Sequence, residues 1–288
     1  MQHKEQCGFV TFAFNTPDVD YLELAYLQAL NIKATQKINS YCVFVDPPTA
    51  SLITDRHRRV FNYIVTLGDQ AWDNPFEAES YTFNFTPFKE TIKLESDLLF
   101  TRSIDHWWTA FRLKDVCLST GAKNYLGIKS AVRKYRELFD ANSLPDVYNG
   151  LMYFRFSLTA RTFFDLTFSL FLNWEVIKTE LSQCDGPATT DVVYAIAAMM
   201  MGEETVTMPS MDFLNFVHMK PEFNGWSDAR SWLDTVMNER DGDMIRVNNI
   251  NQYQPFHYQA KEYCTNELIK YYEQRILERS NEPDQPSN

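Results

Sequence analysis

Residues 8–14 (GFVTFAF) form an unbroken apolar and β-branched run closed by the turn cluster Asn15-Thr16-Pro17-Asp18, the pattern of a buried strand feeding a loop. Residues 20–30 then repeat apolar positions at helical spacing, with Asp18 or Asp20 as the N-cap. Residues 41–45 (YCVFV) read as a second buried strand, stopped by Asp46-Pro47-Pro48. A helical stretch over 51–62 leads into a third strand at 63–67. Alternation of strand and helix predicts an α/β fold with a mostly parallel sheet and right-handed crossovers.

Further along, residues 91–94 run as a strand into Glu95-Ser96-Asp97, and 104–113 read as a helix. The chain is locally basic over 114–136. A loop at 144–150 precedes a strand at 151–156. Helices are expected at 162–174, aromatic-rich, and at 191–201, introduced by Thr189-Thr190. Residues 258–279 have the pattern of a charged amphipathic helix, and 280–288 (SNEPDQPSN) the composition of a disordered tail. There is no internal repeat.

Composition narrows the class without naming a function. A chain of 288 residues, 45% hydrophobic and 23% charged, can bury a core without disulfides. Its net charge of −11 argues against a surface that binds nucleic acid all over, though not against a local basic groove. The N-terminus lacks the charged-then-apolar pattern of a leader and no apolar run is long enough to span a membrane, so a cytoplasmic location is expected. The five scattered cysteines form no CxxC pair and read as reduced thiols.

Chemistry enters with Glu95 and Asp97. Two acids closing a buried strand are costly unless paired or bound to a cation. Carboxylates one residue apart share a side where the backbone turns, and such a pair can hold the divalent metal that neutralises a leaving diphosphate. The spacing alone is equally that of a solvated turn. A nucleotidyltransferase would want a glycine-rich phosphate loop after the first strand, and FNTPDVD has no glycine.

Several segments, in order, resemble the glycogenin-like GT-A glycosyltransferases. These are the opening GFVTFAFNTPDVDYLELAYLQALNIKAT, the second βαβ step, the acid-bearing YTFNFTPFKETIKLESDLLF, LPDVYNGLMYFRFS, Thr190-Asp191, and Phe216-Val217-His218-Met219-Lys220-Pro221. The resemblance covers roughly residues 8–226. It implies a GT-A type Rossmann-like fold with a donor half over about 1–110, an acceptor half over 111–226 and a helical C-terminal extension over 227–279. It implies a nucleoside diphosphate sugar donor, a UDP-sugar favoured, and Mn²⁺ or Mg²⁺ as cofactor.

By the same resemblance Asn15 and Tyr21 contact the base, Asp97 and His218 hold the metal, Glu95 reaches a ribose hydroxyl or the metal, Lys220 clamps the diphosphate, and Asn149 and Gly150 belong to the acceptor strand; Lys93 either points to the sugar or phosphate or snorkels from its strand. Glu95 stands where the family has its first Asp. Asn149-Gly150 lacks the residue normally between them, and His218 and Lys220 are closer together than is usual. Asp191 has three open readings: general base, hydrogen-bond partner of the donor sugar, or helix cap. Trp226 is a candidate for stacking on a sugar ring. Compact size and the lack of a membrane anchor also resemble bacteriophage glycosyltransferases that decorate hydroxymethylated DNA bases. On that reading Lys123, Lys129, Arg133, Lys134 and Arg136 contact duplex phosphates in a host cytoplasm. Otherwise they are a solvated helix face. A polysaccharide, lipid-linked or protein acceptor, and a non-catalytic sugar-nucleotide-binding protein, are the alternatives.

Overall fold

The structure is a computed structural model that describes residues 4–68, 75–130, 136–209, 211, 214–227 and 230–281. Lys134, Arg133 and the residues from 282 onward, named above, lie outside the described residues.

The strands β1 (Glu5–Ala13), β2 (Tyr41–Val45), β3 (Tyr63–Thr66), β4 (Phe88–Leu94), β6 (Val116–Thr120) and β7 (Val147–Arg155) make one six-stranded sheet in the order β3-β2-β1-β4-β7-β6. β1 pairs in parallel with both β2 and β4, and β2 with β3. Only β7 runs against its neighbours, β4 and β6. The sheet is therefore mostly parallel, and its connections reverse direction beside β1. In such sheets the loops leaving the carboxyl ends of the strands diverge at this point and open a crevice.

Alternation along the strands builds the core. Phe9, Ala13, Ile92, Leu151 and Tyr153 point to a layer containing the helix Tyr21–Thr35, while Met152 and Phe154 point to one containing the helices Leu158–Leu172 and Thr190–Met201. The strand expected at 151–156 begins earlier, at Val147, because Val147 and Tyr148 continue the pairing with Thr120 and Ser119 past an irregularity after Leu118. Asn149 and Gly150 are therefore strand residues rather than loop residues. The helix expected at 51–62 is two short pieces, Pro47–Ala50 and Asp55–Val60. Asp20 is the N-cap of the first helix, accepting from the Glu23 N–H at 3.0 Å.

That helix does more than pack. Its buried amides are aimed at the chain leaving β4: Gln28 Nε2 donates to the carbonyls of Glu95 (2.6 Å) and Leu98 (2.8 Å). Asn31 brackets Phe100, donating to its carbonyl at 2.9 Å and accepting its N–H at 2.7 Å. Gln36 accepts the Ile104 N–H at 2.8 Å. Residues 95–104 are thus held along one helix face. Asn31→Ala leaves two buried backbone groups unpaired, so unfolding in urea should show a loss of about 2–6 kcal/mol, from about 1–3 kcal/mol for each orphaned group.

The segment after residue 226 is mixed rather than wholly helical. β9 (Asn238–Asp241), β10 (Met244–Val247) and β11 (Ile250–Gln252) form an antiparallel sheet, and the terminal helix spans Asn266–Asn281. The reason is local. Asn248 and Asn249 both take positive φ (48° and 66°) in a two-residue turn between Val247 and Ile250, and Gly242 (φ 61°) sits in the preceding turn. A third sheet joins β5 (Leu98–Leu99), β12 (Phe256–His257) and β8 (Val217–His218), which brings the end of the chain against the turn after β4. All five cysteines are free thiols, and no helix among the described residues is long and apolar enough to cross a membrane.

Candidate active site

A cavity of about 1080 Å³ opens at the carboxyl ends of β1, β2 and β4, where the sheet topology predicts a crevice. Asn15, Tyr21, Glu95, Asp97, Asn149, Gly150, Asp191, His218 and Lys220 all line it, although they span two hundred positions of chain. Lys93 and Trp226 are not among the lining residues. Lys93 is buried behind the wall, and Trp226 packs on Tyr125 with ring centroids 5.1 Å apart.

The acids sit in the turn between β4 and β5. The Glu95 N–H donates to the Gly150 carbonyl at 3.1 Å, and the Tyr258 N–H to the Asp97 carbonyl at 3.1 Å. His257, which no local pattern singles out, is the imidazole that meets both acids. Its Nε2 lies 3.0 Å from Asp97 Oδ1 and 3.1 Å from Glu95 Oε2. Lys261 pairs with the other Asp97 oxygen. His218 reaches the acids only through its neighbour: β8 and β12 align His218 with His257, and the rings stack 4.6 Å apart.

Electrostatics follow from burial and these contacts. Burial alone would raise the Asp97 carboxyl, but His257 and Lys261 outweigh it and hold it well below the usual carboxylate range. Glu95 is pushed up, by burial first and then by Asp97, Asp191 and Glu79, with His257 opposing. Burial works to lower His257, yet the two acids carry it above its ordinary value. His218 is driven well below its ordinary value, by burial and then by the His257 charge, and stays a neutral ring.

One donor atom from each of Glu95, Asp97 and His257 lies within 4.8 Å of the others. Ligand atoms around one octahedral Mg²⁺ or Mn²⁺ are about 3–4 Å apart, given bonds of about 2.1 Å. Two carboxylates and an imidazole also match the chemistry of these ions. The three residues fit such a cation.

The remaining lining groups have defined partners. Asn15 spends its side chain on the first helix, accepting the Leu22 N–H at 2.8 Å and donating to Asp20 at 2.9 Å. Tyr21 stands beside Lys261, whose Nζ is 5.7 Å from the ring centroid. Asp191 accepts the Asn149 backbone N–H at 2.6 Å and lies 3.4 Å from Arg136. Thr189, not Asp191, is the N-cap residue of its helix. Arg136 is buried between the rings of Phe139 and Tyr148, at 4.0 and 3.8 Å, and donates to the Val147 carbonyl. Burial takes it out of reach of a nucleic-acid backbone at the surface. Gly150 is required by close approach, since a Cβ there would meet the Phe216 ring at 2.7 Å.

The glycosyltransferase GlyE of Streptococcus pneumoniae TIGR4 superposes with a TM-score of 0.55 at 9% identity, over 99% of this chain and 66% of its own. Its apo form gives 0.52 at 10% identity, over 98% and 66%. The fold is the GT-A glycosyltransferase fold. The chain spans just under two thirds of the length of these GT-A structures. Mouse xyloside xylosyltransferase 1 aligns at 9% identity over 71% of this chain and 84% of its own, with a TM-score of 0.44. No protein-family model matches the chain, and no curated protein matches it by sequence.

Proposed function

We propose that this GT-A chain is a metal-dependent glycosyltransferase that moves a sugar from a nucleoside diphosphate sugar, a UDP-sugar first, to a hydroxyl acceptor. The observation that carries the reading is the convergence of Glu95, Asp97 and His257 on one cavity wall at the topological switch point. Bound there, Mn²⁺ or Mg²⁺ supplies positive charge to the departing diphosphate. Asp97, held ionised, and Glu95 are the anionic ligands, and His257 is the neutral third. Lys220 and Lys261 line the same wall and offer point charges to phosphate oxygens. The loops after β1 and β2, with Asn15, Tyr21 and Asp46, take the nucleoside.

A thermal-shift screen of nucleoside diphosphates and their sugars, with and without Mn²⁺, tests this. Ligand at 100 times its Kd stabilises the fold by about 2.7 kcal/mol. A chain that no nucleotide stabilises in the presence of metal is not this enzyme, and the non-catalytic reading then loses its ligand as well.

Metal binding should also be coupled to protons. His257 holds its proton above the ordinary value in the metal-free protein, and the metal must displace it. Titration calorimetry in buffers of different ionisation enthalpy should show about one proton released per Mn²⁺, with affinity falling about tenfold per pH unit below the raised His257 value and levelling above it. Without metal the stabilising contribution of His257 is complete at low pH and lost as pH rises through its raised value. That of Asp97 is complete above the usual carboxylate range and lost as pH falls through its depressed one.

The narrower proposal for the acceptor is a hydroxymethylated base of phage DNA. Among the described residues it rests on Lys123 and Lys129, with Arg136 buried. It requires duplex binding that weakens steeply with salt.

A further inference from the structure

Three carboxylates converge on one residue of β7, and one of them, Glu79, is not a residue the sequence singles out. Asn149 donates through Nδ2 to Glu95 Oε1 at 3.2 Å and to Glu79 Oε1 at 3.4 Å, and through its backbone N–H to Asp191 at 2.6 Å. Glu79 is carried by the 3-10 turn Pro75–Tyr81 and lines the cavity. Its other oxygen pairs with the Lys93 ammonium, which also donates to Asn149 Oδ1.

The cation is on the far side. Lys93 is 1% exposed, does not line the cavity, and faces the rings of Phe12 and Tyr194 at 5.9 and 5.6 Å. Arg136, behind Asp191, is likewise 1% exposed. The cations paired with Glu79 and Asp191 thus stand behind the wall, and the cavity meets carboxylate oxygens. The order of strands places this wall. The loops after β2 and β1 lie on one side of the Glu95–Asp97 turn that follows β4, and Asn149 on β7 lies on the other. With strands about 4.8 Å apart, the wall is two strands, about 10 Å, from the nucleoside side, which is the reach of a diphosphate followed by a sugar.

We infer that Glu79, with Asn149 and Asp191, forms the sugar subsite, and that Glu79 selects an uncharged, hydroxyl-rich sugar against a uronic acid. The inference rests on the donor reading above. Hydroxyl groups donate to ionised acceptors in short, charge-assisted hydrogen bonds. A sugar carboxylate would bring a like charge to a wall where the Asn149 donors are already engaged by carboxylates, and this is discrimination by repulsion.

The test uses the full chain with Mn²⁺ and calorimetric titration of UDP, UDP-glucose, UDP-galactose and the two corresponding UDP-uronic acids. A neutral donor should bind at least about tenfold more tightly than its uronic acid, for one added like charge in a partly buried site. E79Q should bring that ratio to within about threefold. The E79Q/K93M variant removes both charges of the buried pair and should do the same if E79Q is too unstable to titrate. Uronic acids that bind wild type as tightly as neutral donors overturn the inference, as does a ratio that neither variant moves. If UDP itself fails to bind, along with every other nucleoside diphosphate, the donor reading falls and takes this subsite with it.

Discussion

Asp97→Asn is expected to lower metal-dependent turnover of the sugar nucleotide by about 10²–10³-fold, the scale on which loss of one transition-state electrostatic group is felt. The substitution keeps the side-chain shape and removes the charge. Asp97 is 2% exposed and answers two cations, His257 on one oxygen and Lys261 on the other. The metal-free variant should therefore also unfold more easily, by about 3 kcal/mol, because one side of a buried ion pair has been removed. The two effects separate on titration with Mn²⁺. Wild type should gain thermal stability with metal and the variant should not, at temperatures where circular dichroism shows both folded. A variant that keeps the metal-dependent gain would mean that Asp97 is a structural counter-ion.

The second large effect distinguishes the two stacked imidazoles. His257→Ala should weaken Mn²⁺ binding by about 100-fold or more, since it removes a ligand, not merely one of the outer-shell partners whose loss costs about 10- to 100-fold. His218→Ala should cost about tenfold or less, because His218 touches His257 and not the acids. Its ring is neutral and buried, so the cost should appear mainly as lost packing against Phe216 and Phe223. Equal losses from the two variants would mean that the imidazoles exchange roles on metal binding.

His218 and His257 also show where sequence stops informing. The first three strands are continuous apolar runs with turn residues at their ends, and β1, β2 and β3 appear where that pattern puts them. Asn149, Gly150 and Asp191 were legible only through an ordered resemblance, yet all line the cavity. His257 had no such signal. It lies in Pro255-Phe256-His257-Tyr258, among apolar residues, and acquires its partners when β12 pairs with β5 and β8, from distant parts of the chain. The β9–β11 sheet was hidden differently. Its strands are short and largely exposed, so hydrophobic alternation is faint. The Asp241-Gly242 and Asn248-Asn249 pairs are the turn signals that locate it. Glu79 sits in a stretch whose polar and aromatic residues follow neither period, and only the buried Lys93 opposite it marks it as more than a surface acid.

The bond between Lys261 and Asp97 joins positions 164 residues apart. Closing so large a loop delays the contact, because the entropy of the intervening chain is lost before the ion pair forms. On the ribosome, with the chain emerging from its N-terminal end, the β1–β7 sheet can assemble before β12 exists. Until residues 256–261 arrive, the acids after β4 have neither imidazole nor ammonium beside them. The proposed cation site is therefore completed last, and a nascent chain that has not yet delivered His257 lacks its third ligand.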